Sequence, residues 1–468
     1  MADEERFSLK EFGASFKSFL DQVTAQGTTE EPPFARLVHE HLGQSPATLP
    51  IVAEQFAASD HANVQRAIDA YLGSEGRTAE VVGIVGLHEY ETVSIAHLIA
   101  AASPWGSAAP GPVQHVNVGL DGGRILACLH LGLLLIRDGN DRLALLVSGP
   151  HHQVGFRRNV RLEAMAADRS RAERVLAEIR SSMRRLNVYR GHVISLSADR
   201  MGELEVRFHR LPEITRDGVI LPSGVLERIE RHTVHFASHA DALRAAGRHL
   251  KRGLLLHGPP GTGKTLTAMY LAGQMKDRTT LLVTGRGFGL IKESGAMARA
   301  LQPSMVVLED VDLVAEERTR ESSTCTTVLF ELLNQMDGLA DDADVVFLLT
   351  SNRPEILEPA LASRPGRIDQ AVALPLPDDD GRRRLFELYG KGLSLRWTEP
   401  DRFIRRTEGA SPALIRELLR KAALFAADGG DATVVGDAHL DAALHELVVE
   451  GGELTRSLLG YRPTSKPA

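Results

Sequence analysis

The hydrophobic residues of this chain follow a distinct pattern beyond about residue 222. Short, fully apolar runs there alternate with helical stretches; the runs are LLLH (254–257), TTLLV (279–283), MVVL (305–308), VVFLL (345–349) and AVALP (371–375). Strands that are apolar on both faces and joined by helical crossovers are typical of a parallel sheet covered on both sides. The pattern therefore predicts an α/β fold with a buried parallel sheet, followed by a helical segment over 380–448.

The first part of the chain predicts a separate, mixed α/β region. Helical periodicity covers 7–25 and 61–73. Two apolar runs, 125–136 and Leu143–Val147, flank the turn sequence RDGND, which is typical of a β-hairpin. Charged residues then alternate with Ala, Val and Leu over 163–185, which predicts an amphipathic helix.

Composition and charge exclude several classes of protein. With 468 residues the chain is long enough for two or three domains, and its net charge of -7 gives no general attraction to nucleic acid or anionic lipid. The two cysteines lack any CxxC or Cys/His spacing, which favours a reducing compartment and argues against structural zinc. The N-terminus lacks the pattern of a signal peptide, and the apolar run 125–136 is too short to span a bilayer. We expect a soluble, cytoplasmic protein.

A phosphate-binding loop follows the first of the later apolar runs. The sequence is GPPGTGKT, and the candidate ligand-binding residues are Gly258, Pro259, Pro260, Gly261, Thr262, Gly263, Lys264, Thr265 and Leu266. Glycines let backbone N–H groups approach phosphate oxygens, and the following helix directs its N-terminus at the same charge. Lys264 can reach the β and γ phosphates, and the Thr265 hydroxyl can bind Mg²⁺. A plain Gly-rich strand-to-helix connection is the alternative, but strand, GxxxxGKT and helix occur in order.

Two adjacent acids end the third apolar run, in the sequence SMVVLEDVDL (304–313). A phosphate loop needs one acid on the metal side and one that orients water, both at the end of a neighbouring strand. Glu309 and Asp310 occupy that place. From spacing alone a second assignment is open, with Asp310 at the metal and Asp312 further along.

Residues 253 to about 425 resemble the AAA subgroup of the AAA+ ATPases. The motifs that carry the resemblance are EDVD (309–312), NQMDGL (334–339) around Asp337 and Gly338, TSNRPEILEPALASRPGRID (350–369), LPDDDGRRRLFELY (376–389) and GASPALIRELLRKAAL (409–424). The family pattern at the acids is usually Asp-Glu-apolar-Asp, and EDVD matches all four positions only with Glu309 at the metal position. The resemblance implies a P-loop core with a C-terminal helical lid, ATP and Mg²⁺ as ligands, and Thr265 and Glu309 around the metal.

The same resemblance implies roles for four further residues. Asp310 would be the base that activates water, and Asn352 would be the sensor that holds this water near the γ-phosphate. Arg364 and Arg367 match the arginine fingers, which in this family reach the nucleotide of an adjacent subunit. The resemblance therefore implies a homo-oligomer, and we expect a hexamer. We expect the chain to divide into an N-terminal α/β domain for client recognition or regulation (1–187), a β-rich linker (188–222), a nucleotide-binding large subdomain (223–377), a helical lid (378–450) and a C-terminal tail (451–468).

The sequence departs from the usual pattern in two places. The order Glu309-Asp310 is the reverse of the common one and is found in the mitochondrial translocase of the Rieske iron-sulfur protein, which has a membrane anchor that we do not expect in this chain. Both carboxylates remain, so we expect hydrolysis that is slow. The segment 284–303, where unfoldases carry an aromatic pore loop, is short, and Phe288 is its one aromatic residue. Packing of Phe288 against its neighbours is the simpler interpretation.

Three functions remain in competition. The leading hypothesis is an oligomeric ATPase that remodels a protein or protein complex chosen by residues 1–215. A nucleic-acid motor has local support from FRRNVR (156–161) and SSMRRLNVYR (181–190), although solvated or interdomain surface is the simpler interpretation of both. The third is an ATP-controlled switch or scaffold with little turnover. No HExxH motif follows the ATPase region, which argues against an attached zinc protease.

Overall fold

The computed structural model describes residues 12–19, 31–86, 93–100, 108–150, 159–198, 204–313, 331, 334–335, 343–357, 368–451 and 460–461, with the backbone alone of 285, 286 and 288. The chain divides into two compact units, Met1–Val188 and Tyr189–Ala468. Within the described residues, no helix has the length and apolar character needed to cross a membrane.

The first unit is an antiparallel sheet with helices on both faces. Its helices are α1 (12–19), α2 (Pro33–Leu42), α3 (His61–Leu72), α4 (Ile95–Ile99) and α5 (Arg169–Arg185), with short 3₁₀ turns at Pro46–Thr48, Ala58–Asp60 and Asp121–Gly123. Its strands are β1 (Ile51–Phe56), β2 (Arg77–Val85), β3 (Ala109–Gly111), β4 (Gln114–Gly119), β5 (Ile125–Asp138), β6 (Asp141–Ser148) and β7 (Val160–Ala166). They pair in the order β1-β7-β6-β5-β2-β3, and β4 also pairs with β5.

Burial on both faces explains the continuous apolar run in β5. Leu134 and Ile136 belong to the core under α3 and α5. Leu133 and Leu135 point the other way, into the core under α2 and α4, because successive strand residues face opposite sides. The predicted hairpin is confirmed, since β5 pairs with β6 from Leu131–Ser148 to Asp138–Asp141.

The predicted helix over 163–185 is wrong in its first part. Residues Val160–Ala166 form β7, which pairs with both β1 and β6 and is buried along almost its whole length. The prediction took Glu163 as part of the polar face of a helix. It is instead a buried carboxylate that accepts hydrogen bonds from the backbone N–H of Ile95 and from the Arg161 guanidinium. The helix begins only at Arg169, where the Asp168 side chain caps its N-terminus.

The second unit contains the predicted parallel sheet. The strands of this unit are β8 (Val193–Ala198), β9 (Leu204–His209), β10 (Arg252–His257), β11 (Thr279–Val283), β12 (Ser304–Leu308), β13 (Val345–Ser351), β14 (Gln370–Ala373), β15 (Ser394–Arg396) and β16 (Val434–Gly436). The large sheet has the order β14-β10-β13-β12-β11-β8-β9. Strands β10 to β14 correspond to the five apolar runs and are all parallel, which confirms the α/β prediction.

The segment expected to be a β-rich linker, 188–222, contributes two strands to this sheet. Strand β8 pairs in parallel with β11, and β9 pairs antiparallel to β8 at the edge. Ile194 and Leu196 are buried on the sheet, which is why the segment packs there instead of remaining a connection.

Helices surround the sheet and form a lid after it. They are α6 (Val225–His232), α7 (Val234–Ser238), α8 (Ala240–Ala245), α9 (Lys264–Gln274), α10 (Ile291–Ala300), α11 (Asp379–Tyr389), α12 (Pro400–Arg406), α13 (Pro412–Asp428) and α14 (Asp437–His445), with 3₁₀ turns at Arg216–Gly218 and Gly285–Leu290 and a π-helical turn at Glu446–Glu450. Helices α11 to α14 share one hydrophobic core, into which Phe386, Phe403 and Leu418 are fully buried.

A buried ion pair joins the residues that precede two strands of the large sheet, β11 and β13, which are separated by β12. Arg278 lies just before β11, and Asp344 lies just before β13. The Arg278 Nη2 donates a hydrogen bond to Asp344 Oδ2 at 2.9 Å, and Nη1 lies 2.7 Å from Oδ1. The two side chains are only 6% and 8% exposed. This pair therefore holds its charges away from water, at the opposite end of the parallel strands from the phosphate loop.

Candidate nucleotide-binding site

The phosphate loop leaves the sheet between two strands. Strand β10 ends at His257, and the Gly258 N–H donates to the Ser351 carbonyl at 3.2 Å. The Thr262 hydroxyl donates to the Pro259 carbonyl at 2.9 Å, which closes the loop on itself. Helix α9 then begins at Lys264. The N-terminus of an eleven-residue helix therefore points into the loop, as an anion site requires.

The lid lies directly against this loop. The Ser411 hydroxyl caps α13, and the Ala413 N–H donates to the Gly261 carbonyl at 3.3 Å. A Cβ on Gly261 would lie 2.8 Å from the Ser411 Oγ, so a larger residue cannot fit without moving the lid. Gly460 approaches from the other side, where a Cβ would lie 2.2 Å from the Pro260 carbonyl oxygen.

Lys264 is buried at the floor of the loop. Its Nζ donates to the carbonyl oxygens of Gly258 at 2.9 Å and Pro259 at 2.8 Å. Burial lowers the pKa of Lys264, and the negative charges of Asp310 and Asp312 oppose that shift. The Lys264 ammonium thus lies within the loop, close enough to Asp310 and Asp312 for their charges to act on it. Loops of this kind present backbone N–H groups that can bind phosphate.

Glu309 faces the phosphate loop from the end of β12. Its carboxylate interacts with the Thr265 side chain, while its Oε1 is buried and has no hydrogen-bond partner among the described residues. Burial raises the pKa of Glu309, the interaction with Thr265 lowers it, and the neighbouring Asp310 charge raises it further. A buried carboxylate oxygen without a partner, beside a threonine hydroxyl, is a donor set that fits a Mg²⁺ ion.

Asp310 is held by the neighbouring strand β13. Its N–H donates to the Thr350 Oγ1 at 3.0 Å, and its Oδ1 accepts from the Asn352 Nδ2 at 3.0 Å. Asp312 takes a different position: it is buried, and its Oδ1 accepts from the Asn352 N–H at 3.0 Å. Of the two acid assignments, the geometry favours Glu309 and Asp310 at the nucleotide, with Asp312 as a support for the strand end.

One cavity contains the loop, Asp310 and Asn352. It has a volume of about 1010 Å³, at the upper end for a ligand site. Beyond the phosphate end it is lined by residues that sequence reasoning missed, namely Val219, Ile220, Leu385, Leu388, Tyr389 and Arg416. A signal existed, because the apolar triplet Val219–Leu221 interrupts a polar stretch just before the first helix of this unit.

Several predicted residues lie outside the described part of the chain. Arg364, Arg367, Asp337 and Gly338 belong to this group, and so does the Phe288 side chain. The backbone around Phe288 forms the short 3₁₀ turn Gly285–Leu290, directly after β11. The arginine fingers and the pore-loop question therefore remain predictions.

Comparison with known proteins agrees with the geometry. Residues 254–376 match the family described as ATPase family associated with various cellular activities (AAA). These residues form an AAA domain. The AAA domain includes the phosphate loop, both acids, Asn352 and the two predicted arginine fingers, and it lies wholly within the second unit.

Among the curated proteins similar to the AAA domain and its surroundings are a proteasome-activating nucleotidase and an ATP-dependent zinc metalloprotease. The proteasome-activating nucleotidase of Methanothermobacter thermautotrophicus is 34% identical over 188 residues, which are 37% of this chain and 46% of that protein. The ATP-dependent zinc metalloprotease FTSH 1, chloroplastic, of Oryza sativa subsp. japonica is 30% identical over 240 residues, 48% of this chain and 35% of that protein. The chain thus spans half or less of the length of these relatives.

Proposed function

We propose that this protein is an oligomeric AAA+ ATPase that uses ATP hydrolysis to remodel a protein or protein complex selected by its N-terminal region. One observation supports the ATPase most directly. Glu309 interacts with Thr265 of the phosphate loop, and Asp310 lines the same cavity as the loop, where its charge acts on the buried Lys264. Structural acids at a strand end would not both need to interact with one loop.

Each residue of the site has a defined task in this proposal. Loop N–H groups and the Lys264 ammonium bind the β and γ phosphates. Thr265 and Glu309 would hold Mg²⁺, which when bound neutralises charge on these phosphates. Asp310 accepts a proton from the attacking water, and Asn352 keeps this water in line through its amide. Asp310 is one methylene shorter than the glutamate usual at the base position, so its carboxylate can reach the attacking water from fewer positions. We therefore expect turnover to be slow.

The acid assignment can be tested by two amide substitutions. Asp310→Asn should retain ATP and stop turnover, whereas Glu309→Gln should mainly raise the Mg²⁺ concentration needed for half-maximal activity. The measurements are ATP affinity by fluorescent-nucleotide titration and phosphate release across a Mg²⁺ series. If Glu309→Gln instead binds normally and fails to turn over, the two roles are reversed. Negligible turnover in the unmodified protein would leave an ATP-controlled switch as the function.

The remodelling proposal has support from the names of the relatives. One group activates the proteasome as a nucleotidase, and the other is an ATP-dependent protease, so both names link nucleotide use to protein breakdown. The predicted arginine fingers Arg364 and Arg367 support an oligomer, because such fingers would act on the nucleotide of an adjacent subunit. A client should be retained by the Asp310→Asn protein with ATP and released without it. Equal recovery in both conditions would contradict ATP-dependent remodelling.

The nucleic-acid alternative has lost part of its support. Arg161 is paired with the buried Glu163, and Arg190 donates to the carbonyl oxygens of Ala300 and Gln302. These two arginines belong to the basic stretches 156–161 and 181–190 that suggested nucleic-acid binding, and each is bonded to another part of the protein. A DNA-binding titration at several salt concentrations should show weak binding, because few phosphate contacts are available from these positions.

A further inference from the structure

The two adjacent acids pose a geometric problem. Side chains of consecutive strand residues point to opposite faces of a sheet. Glu309 and Asp310 follow β12 directly, yet Glu309 interacts with Thr265 of the phosphate loop and Asp310 lines the cavity that contains this loop. Both can face the nucleotide only if the backbone leaves strand geometry between them.

The backbone of Asp310 provides this departure. Its φ is +52°, and among the described residues it is the one non-glycine residue with a positive φ. For residues other than glycine this left-handed region is unfavourable in free energy because of steric crowding at Cβ, although less so for aspartate than for most residues. Such a conformation persists only where its surroundings hold it in place.

Thr350 supplies the contact that holds the backbone. The regular pairing of β12 with β13 ends at Leu308 and Leu349, one residue before Thr350. Beyond that point the Asp310 N–H has turned away from the ladder, and it donates to the Thr350 Oγ1 at 3.0 Å. Thr350 is fully buried, so its hydroxyl has a fixed position. The Asn352 side-chain amide, in contrast, donates its hydrogen bond to the carboxylate of Asp310.

We infer that Thr350 is a positioning residue for catalysis: its side-chain oxygen holds the Asp310 backbone in the left-handed conformation that turns this acid toward the nucleotide. The inference rests on the proposed role of Asp310. A hydroxyl is needed because a valine at this position has the same shape but cannot accept the N–H. Thr350 is included in the motif 350–369, but the resemblance gives it no role of its own.

The test compares Thr350→Val with Thr350→Ser in the full chain. Thr350→Val should lower kcat about tenfold, the loss expected for one buried hydrogen bond, while the Kd for ATP changes less than twofold. Thr350→Ser keeps the oxygen and should recover most of the activity. Thr233→Val is the matched control, since Thr233 is also fully buried with a hydroxyl bonded to a backbone carbonyl, away from the acids.

A second comparison separates this inference from the proposed function. Asp310→Asn, which removes the proposed base itself, is measured beside Thr350→Val in the same kcat and ATP-binding assays. If Asp310→Asn stops turnover but Thr350→Val retains full kcat, the role of Thr350 is refuted alone. If Thr350→Val weakens ATP binding and kcat equally, its role is structural and the inference is also wrong. Full turnover by Asp310→Asn would refute the proposed base, and the inference with it.

Discussion

Removing one partner of the buried Arg278–Asp344 pair should destabilise the second unit severely. Asp344→Ala would leave the Arg278 guanidinium 6% exposed, without its carboxylate. Breaking a buried ion pair in this way typically costs about 3–5 kcal/mol. For a domain of this size each kcal/mol lowers Tm by about 2–4 °C, so the expected fall is on the order of 10 °C.

The chain offers a control with the same distance and different burial. Arg244 Nη1 lies 2.7 Å from Asp241 Oδ1, the same separation as in the buried pair, but the side chains are 46% and 98% exposed. Asp241→Ala should leave Tm unchanged within error, because exposed pairs contribute little. Thermal unfolding followed by circular dichroism, with nucleotide absent, measures both variants.

A double substitution completes the comparison. Arg278→Met combined with Asp344→Leu removes both charges and retains apolar volume, so it should recover most of the lost Tm. Recovery would show that the unpaired charge causes the loss. A fall of less than about 2 °C in Asp344→Ala, or a double variant as unstable as the single one, would refute the reasoning from burial.

Three further predictions concern nucleotide and assembly. Lys264→Ala should abolish nucleotide binding in a fluorescent-nucleotide titration, because the phosphates lose the loop's buried cation; unchanged affinity would remove this loop from the site. Arg364→Ala and Arg367→Ala should retain ATP but lose up to about a thousandfold in hydrolysis, and mixing their double variant with Lys264→Ala should restore some turnover; a stable, active monomer would contradict this. Gly460→Ala should weaken nucleotide binding, since its Cβ would collide with the phosphate loop, whereas Gly392→Ala, with a positive φ and nothing within 4 Å, should not.

Features that are encoded locally, such as apolar runs and short motifs, could be predicted from the sequence. Features that depend on contacts between residues far apart in the chain could not. Strands β10 to β14 were readable because each is an apolar run of its own. Strand β7 was not, since its buried Glu163 resembles a helix surface residue until its partners are known. The phosphate loop and acids were found by local motifs. Thr350 and the far end of the cavity were missed because their importance depends on residues about 40 or more positions away.

Strands β8 and β9, which cover β11 on one side of the sheet, have a consequence for how this unit can be separated from the rest of the chain. The family match begins at residue 254, but the sheet takes in residues from Val193 onward. A fragment cut at the start of the match would expose the edge of β11, and uncovered edges pair with other chains and aggregate. Whether a new N-terminal region is joined by recombination in evolution or by a designed fusion, the junction must therefore lie upstream of Val193.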